Sequence, residues 1–310
     1  MCQATHVPAR STLAYHREVQ AVLSAESVRI DVGGVPTVDG LSFSTTGERV
    51  LVLGAASALF EASGGMRAVV RGELRVEGVA PLGAIRAGIA ACAPRDPPMP
   101  PSWTVRQYAT WSARLAGHAR ATAEALAEDA LSRLKLSSLA KTRLAGASLA
   151  LRRATVVAAA IATGATTLLV EDPLGGLADD AARTFARAVA RGLSDRRSAV
   201  FAARVPLDSP VALAADEAIV VDGSLVAARG DPAEIASDER TFTLRVGGDV
   251  GAFANAIRAN GAKLLAPATA SIPARVSVHL GTLGTRDLLR IAQASNAIVL
   301  ELRPIARAFA

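Results

Sequence analysis

The sequence predicts an α/β protein built on a mainly parallel sheet, followed by a smaller unit with a sheet of its own. Three observations carry this reading. Short apolar runs alternate with helix-patterned stretches through most of the first 236 residues, the order that gives parallel strands joined by crossover helices. The run Thr167-Leu168-Leu169-Val170 ends in the adjacent carboxylates Glu171 and Asp172, then Pro173 and the Gly-rich turn Leu174 to Asp179. A buried parallel strand delivers acidic groups in this way to the carboxyl edge of a sheet, where open α/β sheets take their ligands. After Asp238 the pattern becomes strand, helix, strand, strand, helix, strand, the β-α-β-β-α-β order of ferredoxin-like units.

At 310 residues the chain fits one large or two medium domains, and with 51% hydrophobic and 20% charged residues it has ample material for a core. A net charge of +6 would suit an anionic partner. The arginines, however, recur along helices as a solvated face (Arg183, Arg187, Arg191, Arg196, Arg197), and no RNA- or DNA-binding motif accompanies them. Nucleic acid is therefore not an expected partner. Cys2 and Cys92 are too few for a metal site or a disulfide framework. No basic patch followed by a long apolar run marks the start of the chain, and no segment reaches the roughly 18 apolar residues of a spanning helix. Ala154 to Val170, the longest candidate, is interrupted by Thr and Gly. A cytoplasmic protein is expected, held at the inner face of a membrane only through a partner.

Along the chain, residues 1–25 carry no clear periodicity and read as an arm. Short strands follow from Val28 to Val52, with Gly47-Glu48 as a turn before the buried strand Arg49-Val50-Leu51-Val52-Leu53. Gly72 to Gly78 and Ala87 to Ala93 read as strands. Pro94 to Pro101 cannot be a helix interior. Helices are expected at 104–116, 119–135, 136–140 and 148–162, a strand at 166–170, a helix at 176–192 and a strand at 198–203. A hairpin turns across Gly223-Ser224. The last unit is expected as strand 241–246, helix 250–259, strands 262–266 and 274–280, helix 285–294 and strand 296–302, with a linker near Ser237-Asp238-Glu239.

Taken in order, residues 27–236 resemble the nucleotide-binding subunit of an ABC transporter, most closely the drug-exporter type in which a separate membrane protein supplies the pore. Thr167 to Asp179 is similar to the Walker B strand and following loop, and Gly223 to Ile235 to the hairpin after the sheet. Pro100 to Arg106 is similar to the segment leading into the helical subdomain. Thr285 to Arg290 and Val299 to Pro304 are similar to the end of the exporter ATPases, with Ala306 to Phe309 where relatives carry Leu-Glu-Asp-Val-Phe. The resemblance implies a P-loop NTPase-like core over 26–237, with an antiparallel subdomain and a helical subdomain at about 100–150, and a C-terminal ferredoxin-like domain over 240–310. It implies ATP and Mg²⁺ as ligands. As partners it implies a transmembrane permease subunit, an ATPase paralogue or a second copy of the chain, with the helical subdomain facing the membrane protein.

The motif positions depart from that family one after another. A P-loop cradles phosphates with glycine backbone N–H groups, a Lys and a Mg²⁺-binding hydroxyl. Here Gly54 and Ser57 are followed by Leu59 at the second glycine, Phe60 at the Lys and Glu61 at the hydroxyl. Phe60 brings no charge, and Glu61 would repel a phosphate by about 1–4 kcal/mol. No aromatic platform stands in Val28 to Pro36. The Q-loop Gln position holds Arg95. Counting back from Asp172 places the signature at Ala147 to Leu151, with Ser148 kept and both glycines gone; a shifted register on Leu144-Ala145-Gly146 needs a gap. Glu171 stands at the Mg²⁺ position and Asp172 at the catalytic base, in reversed order. Swapping the two lengths moves each oxygen by about a C–C bond, enough to cost on the order of 100-fold. The switch His position holds Arg204, which cannot relay a proton as His does but could bind a phosphate.

The leading expectation is thus a cassette subunit of an exporter-like complex with weak or no ATP hydrolysis. Two alternatives stand beside it. One is a working ATPase with divergent motifs, using Asp172 as base and Arg95 or Arg204 on the phosphates. The other is a soluble regulator or scaffold on the same fold.

Overall fold

The computed structural model describes residues 20–266, 268–269 and 272–310. Most of the expected arm lies outside them. Its last residues are not arm but strand: β1 (Leu23–Val32) begins within it, because Val22 and Leu23 are fully buried and the Leu23 amide donates to Thr45 Oγ1 at 3.1 Å. β1 pairs antiparallel with β2 (Val35–Ser44) across the Gly33-Gly34 turn.

The central sheet opens with β3 (Arg49–Gly54), which runs into α1 (Ala56–Ser63). Next come β4 (Arg71–Val76), which pairs with β1, then α2 (Pro81–Arg86) and β5 (Ala90–Ala93). A helical section follows with α3 (Val105–Leu115), α4 (Arg120–Arg133) and α5 (Leu149–Ala162). The chain returns to the sheet as β6 (Thr167–Glu171), α6 (Asp179–Leu193), β7 (Arg197–Ala202) and the short α7 (Pro210–Leu213). The hairpin β8 (Glu217–Asp222) and β9 (Leu225–Gly230) and the helix α8 (Pro232–Ser237) complete this part. The sheet order is β5-β6-β7-β3-β8-β9; all neighbours are parallel except the β8–β9 pair.

The period-2 pattern of the strands explains the layers. In β3, Leu51 and Leu53 enter one buried cluster while Val50 and Val52 enter another; Val200 and Phe201 of β7 divide in the same way. Both faces are therefore covered, as parallel sheets require. On one face lies α5, buried along most of its length, which a helix apolar on nearly all sides must be. On the other lie α1 and the β2-β1-β4 sheet. α3 starts cleanly at a capping box in which Thr104 and Gln107 bond reciprocally.

The C-terminal unit comprises β10 (Thr241–Gly248), α9 (Val250–Ala259), β11 (Lys263–Leu264), β12 (Ala274–His279), α10 (Thr285–Ala294) and β13 (Ala297–Pro304). Its strand order β11-β12-β10-β13, antiparallel throughout, is that of a ferredoxin-like sheet. A separate buried cluster including Leu244, Phe253, Val276 and Leu288 fills it. The unit is tied to the central sheet by Ser277 Oγ donating to the Ala227 carbonyl at 2.9 Å and by an Arg275–Asp222 ion pair at 3.2 Å. Residues 305–309 then fold back, burying Ile305 and Phe309 in the core cluster that holds Val205 and Ile235.

Some elements differ from the sequence expectation. α6 begins at Asp179 rather than 176, because Gly176 takes the left-handed conformation (φ 72°) and the two acids Asp179 and Asp180 belong in the first turn, facing the positive helix end. α2, α7 and α8 were not expected. α8 has a legible start: the Asp231 side chain accepts from the Ala233 amide at 2.7 Å, with Pro232 in the first turn.

Candidate functional site at the carboxyl edge of the central sheet

The carboxyl ends of β3, β5, β6 and β7 converge where an open α/β sheet takes its ligand. β7 separates β3 from β6.

At the end of β3 there is no loop long enough to wrap a phosphate. Only Ala55 separates the strand from α1. Gly54 sits at φ 99°, and a Cβ there would lie 2.0 Å from the Val221 carbonyl oxygen. The Ala55 amide, which a phosphate loop would aim at its ligand, donates to that same oxygen at 3.3 Å. The expected loop positions Leu59, Phe60 and Glu61 are corrected here: all three lie inside α1. Leu59 and Phe60 are buried, and Phe60 meets Phe201 of β7 edge-on with ring centroids 5.7 Å apart. Glu61 pairs with Arg67, Nε to Oε2 at 2.6 Å. Ser57 is exposed in the first turn. The cause is the apolar run Ala56 to Ala62, whose burial against β6 and β7 outweighs an open loop.

At the end of β6 the polar groups are taken up within the chain. The Arg95 amide donates to Glu171 Oε2 at 3.1 Å, and the Arg95 guanidinium donates to Asp172 Oδ2 at 2.9 Å. Asp172, in the left-handed region at φ 34°, turns its other oxygen onto the Gly175 amide at 3.1 Å. Beneath them lies Arg153 of α5, only 3% exposed, which donates to the carbonyl oxygen of Gly175 and pairs with Asp96 at 3.4 Å. Partial burial works against the Asp96 charge, but the bonds from Arg153 and Arg95 more than offset it and hold its pKa below the usual carboxylate range. Arg95, Asp172, Arg153 and Asp96 thus form one ion-pair lattice, with Glu171 joined to it only through the Arg95 amide. Arg153 and Asp96 were not singled out from the sequence; an Arg within the apolar run of α5 was the available signal.

The remaining expected positions are dispersed. Ser148 is the N-cap of α5, its Oγ accepting from the Leu151 amide at 3.3 Å, so its hydroxyl serves the helix start. Arg204 is exposed just beyond β7. The adjacent Val205 amide donates to the Ala308 carbonyl at 3.0 Å, so the C-terminal turn lies against the switch position. Burial pushes the Cys92 thiol up to about 12, which leaves it unreactive at neutral pH. Among the described residues no group of His, Cys, Asp or Glu is placed to hold a metal ion, and no helix is long and apolar enough to cross a membrane.

These residues do not fit a magnesium–triphosphate pair. The turn after β3 is short and its amide is taken, the Lys position is a buried phenyl ring, Asp172 already holds a guanidinium and Glu171 a backbone amide.

Sequence comparison finds no matching family model and no matching curated protein. Comparison of folds finds several solved cassettes. The structure of cbiO1 from Clostridium perfringens, part of the ABC transporter complex cbiONQ, superposes with a TM-score of 0.59 at 16% identity, covering 70% of this chain and 90% of that one. An ATP-binding cassette of an ABC transporter in its ADP conformation gives 0.59 at 16% identity over 71% and 96%. A nucleotide-free cassette gives 0.58 at 17% identity over 68% and 92%. At these identities the likeness concerns the backbone, and it establishes that this chain has the fold of an ABC transporter ATP-binding subunit.

Proposed function

We propose that the protein is a cassette subunit of an export-type transporter complex that works by binding rather than by hydrolysing ATP, with residues 240–310 as an accessory domain. The observation that carries this reading is the strand-to-helix passage at Gly54-Ala55, which leaves no amide cradle for phosphates. The Arg95 bonds to Glu171 and Asp172 support it, because they satisfy the groups that would otherwise hold a metal ion and activate water.

A binding role is supported by the helical section. α3 and α4 border a groove of about 950 Å³ lined by Trp103, Trp111, Arg106, Arg114 and Glu128. Trp103 and Trp111 pack edge-on at 5.4 Å, and Trp111 remains 43% exposed. An exposed aromatic anchor with arginines and a polar rim suits a protein partner. The solved cassettes of like fold include a part of a transporter complex, and a membrane subunit or an active ATPase paralogue is the partner proposed here.

The test is steady-state hydrolysis of Mg-ATP by the purified full chain, with an Asp172→Ala control, alongside co-purification with membrane proteins. Turnover at background level in both proteins, together with a recovered membrane subunit, supports the reading. Turnover that disappears in Asp172→Ala overturns it in favour of a working ATPase with divergent motifs.

A further inference from the structure

A second cleft shares Gly54, Ala55 and Arg204 with the edge just described and runs between the end of the β3/β8 part of the central sheet and the outer face of the C-terminal sheet. It encloses about 720 Å³ and collects four arginines, Arg204, Arg275, Arg303 and Arg307, against only two carboxylates, Asp222 and Glu301. Arg275 is paired with Asp222, and Arg303 with Glu301. Arg204 and Arg307 have no carboxylate partner among the described residues.

The backbone brings the two unpaired arginines together. The Val205 amide to Ala308 carbonyl bond at 3.0 Å joins the residues that directly follow Arg204 and Arg307, so both start from neighbouring points. Arg275 lies over Gly223, where a Cβ would come within 2.5 Å of its guanidinium carbon. Gly223 thus leaves the room Arg275 needs. Like charges gathered in one cleft repel. A folded chain that gathers four guanidiniums around two carboxylates lowers that cost by taking up an anion. Guanidinium forks match phosphate oxygens bidentately, and the enclosed volume is that of a small-molecule site.

We propose that this cleft binds a diphosphate group, with Arg204 and Arg307 as the principal contacts and Arg275 and Arg303 at its sides. The group is carried either by free inorganic diphosphate or by a larger phosphorylated molecule. Gly54 and Ala55 of the turn into α1 form part of the wall, but the guanidiniums come from the end of β7, from β12 and β13 and from the C-terminal turn, and the proposal is independent of whether the chain hydrolyses ATP.

The experiment is calorimetric titration of the full chain with inorganic pyrophosphate, without magnesium, at two salt concentrations. Saturable binding is expected, weakening with salt as ion pairing requires. Arg204→Ser and Arg307→Ser should each weaken it about tenfold or more, and the double variant should abolish it. Both side chains are exposed, so folding is kept, as circular dichroism would verify; Arg187→Ser on α6 serves as the charge-matched control and should bind normally. A parallel titration with ADP separates the two sources: ADP binding tenfold tighter marks a nucleotide-borne group, equal binding a free one. No saturable binding of either anion, or equal binding by the double variant and Arg187→Ser, overturns the proposal.

Discussion

The carboxyl ends of β3 and β6 solve the same problem with opposite chemistry. Each is a place where an open α/β sheet would leave polar groups for a ligand. At β3 the space is filled with hydrocarbon, with Phe60 and Leu59 buried and Phe60 set edge-on against Phe201. At β6 the space keeps its charges and pairs them internally through Arg95, Asp96 and Arg153. The difference teaches that a ligand edge can be closed by burial, which is strong and hard to reverse, or by partly exposed ion pairs, which are weak. Substitutions on the two sides should therefore have very unequal effects.

The largest effect is expected for Phe60→Lys, which restores the residue type that the phosphate-binding motif carries. At a fully buried position it introduces an unpaired charge, and a loss of about 4–5 kcal/mol or more is expected. Phe60→Ala should cost about 3–5 kcal/mol. Urea unfolding reads both. A loss below about 1 kcal/mol for Phe60→Lys would mean that this residue faces solvent in a loop, and the comparison would collapse.

Arg153→Met comes next. It removes charged donors to the turn after β6 while keeping the volume, and about 1.5–3 kcal/mol should be lost. Hydrogen exchange at the Gly175 and Gly176 amides should rise with it, which a loss of packing elsewhere in α5 would not produce.

A third expectation concerns acid stability, away from both edges. Glu217 is 4% exposed; burial opposes its charge, but the amides of Gly47 (2.8 Å) and Thr46 (2.6 Å) and the Arg229 guanidinium outweigh it, so its pKa is depressed. Asp216 is depressed chiefly by its bond to Arg49. A depressed carboxylate contributes stability that is complete above its unfolded pKa, about 4.3 for Glu, and is lost as pH falls through the folded value. Stability should thus decline below about pH 4. Glu217→Gln should cost about 1–3 kcal/mol at pH 7 and flatten that decline. An unchanged slope would remove Glu217 from the account.

The smallest effect is expected for Arg95→Gln. The guanidinium is half-exposed, so its pair with Asp172 should contribute no more than about 1 kcal/mol. A loss of several kcal/mol would mean that the β6 edge is as tightly closed as the β3 edge.

Much of the fold was legible in the sequence and rather less of the edge. The strands of the central sheet and the whole C-terminal order could be read because their apolar periods change clearly between 2 and 3.6. The end of α1 at Ser63-Gly64 could be read as well, but not its start, because aligning Gly54 with a phosphate loop gave Leu59 to Glu61 loop roles; the apolar spacing of Leu59, Phe60 and Ala62 carried the better signal. The partners of Asp172 were invisible for a different reason. Arg95 and Asp172 are 77 positions apart, and only the pairing of β5 with β6 brings them together. Ser148 kept its motif identity, yet its bond to Leu151 serves a helix cap, a role that the residue type alone could not separate from phosphate contact.

The most direct measurement is calorimetric titration of the full chain with ATP, with and without magnesium, in wild type and in Asp172→Ala. No component of binding should depend on both magnesium and Asp172. Saturable heat that requires magnesium and vanishes in Asp172→Ala would show that the β6 edge opens to hold a metal–nucleotide pair, and would contradict that expectation.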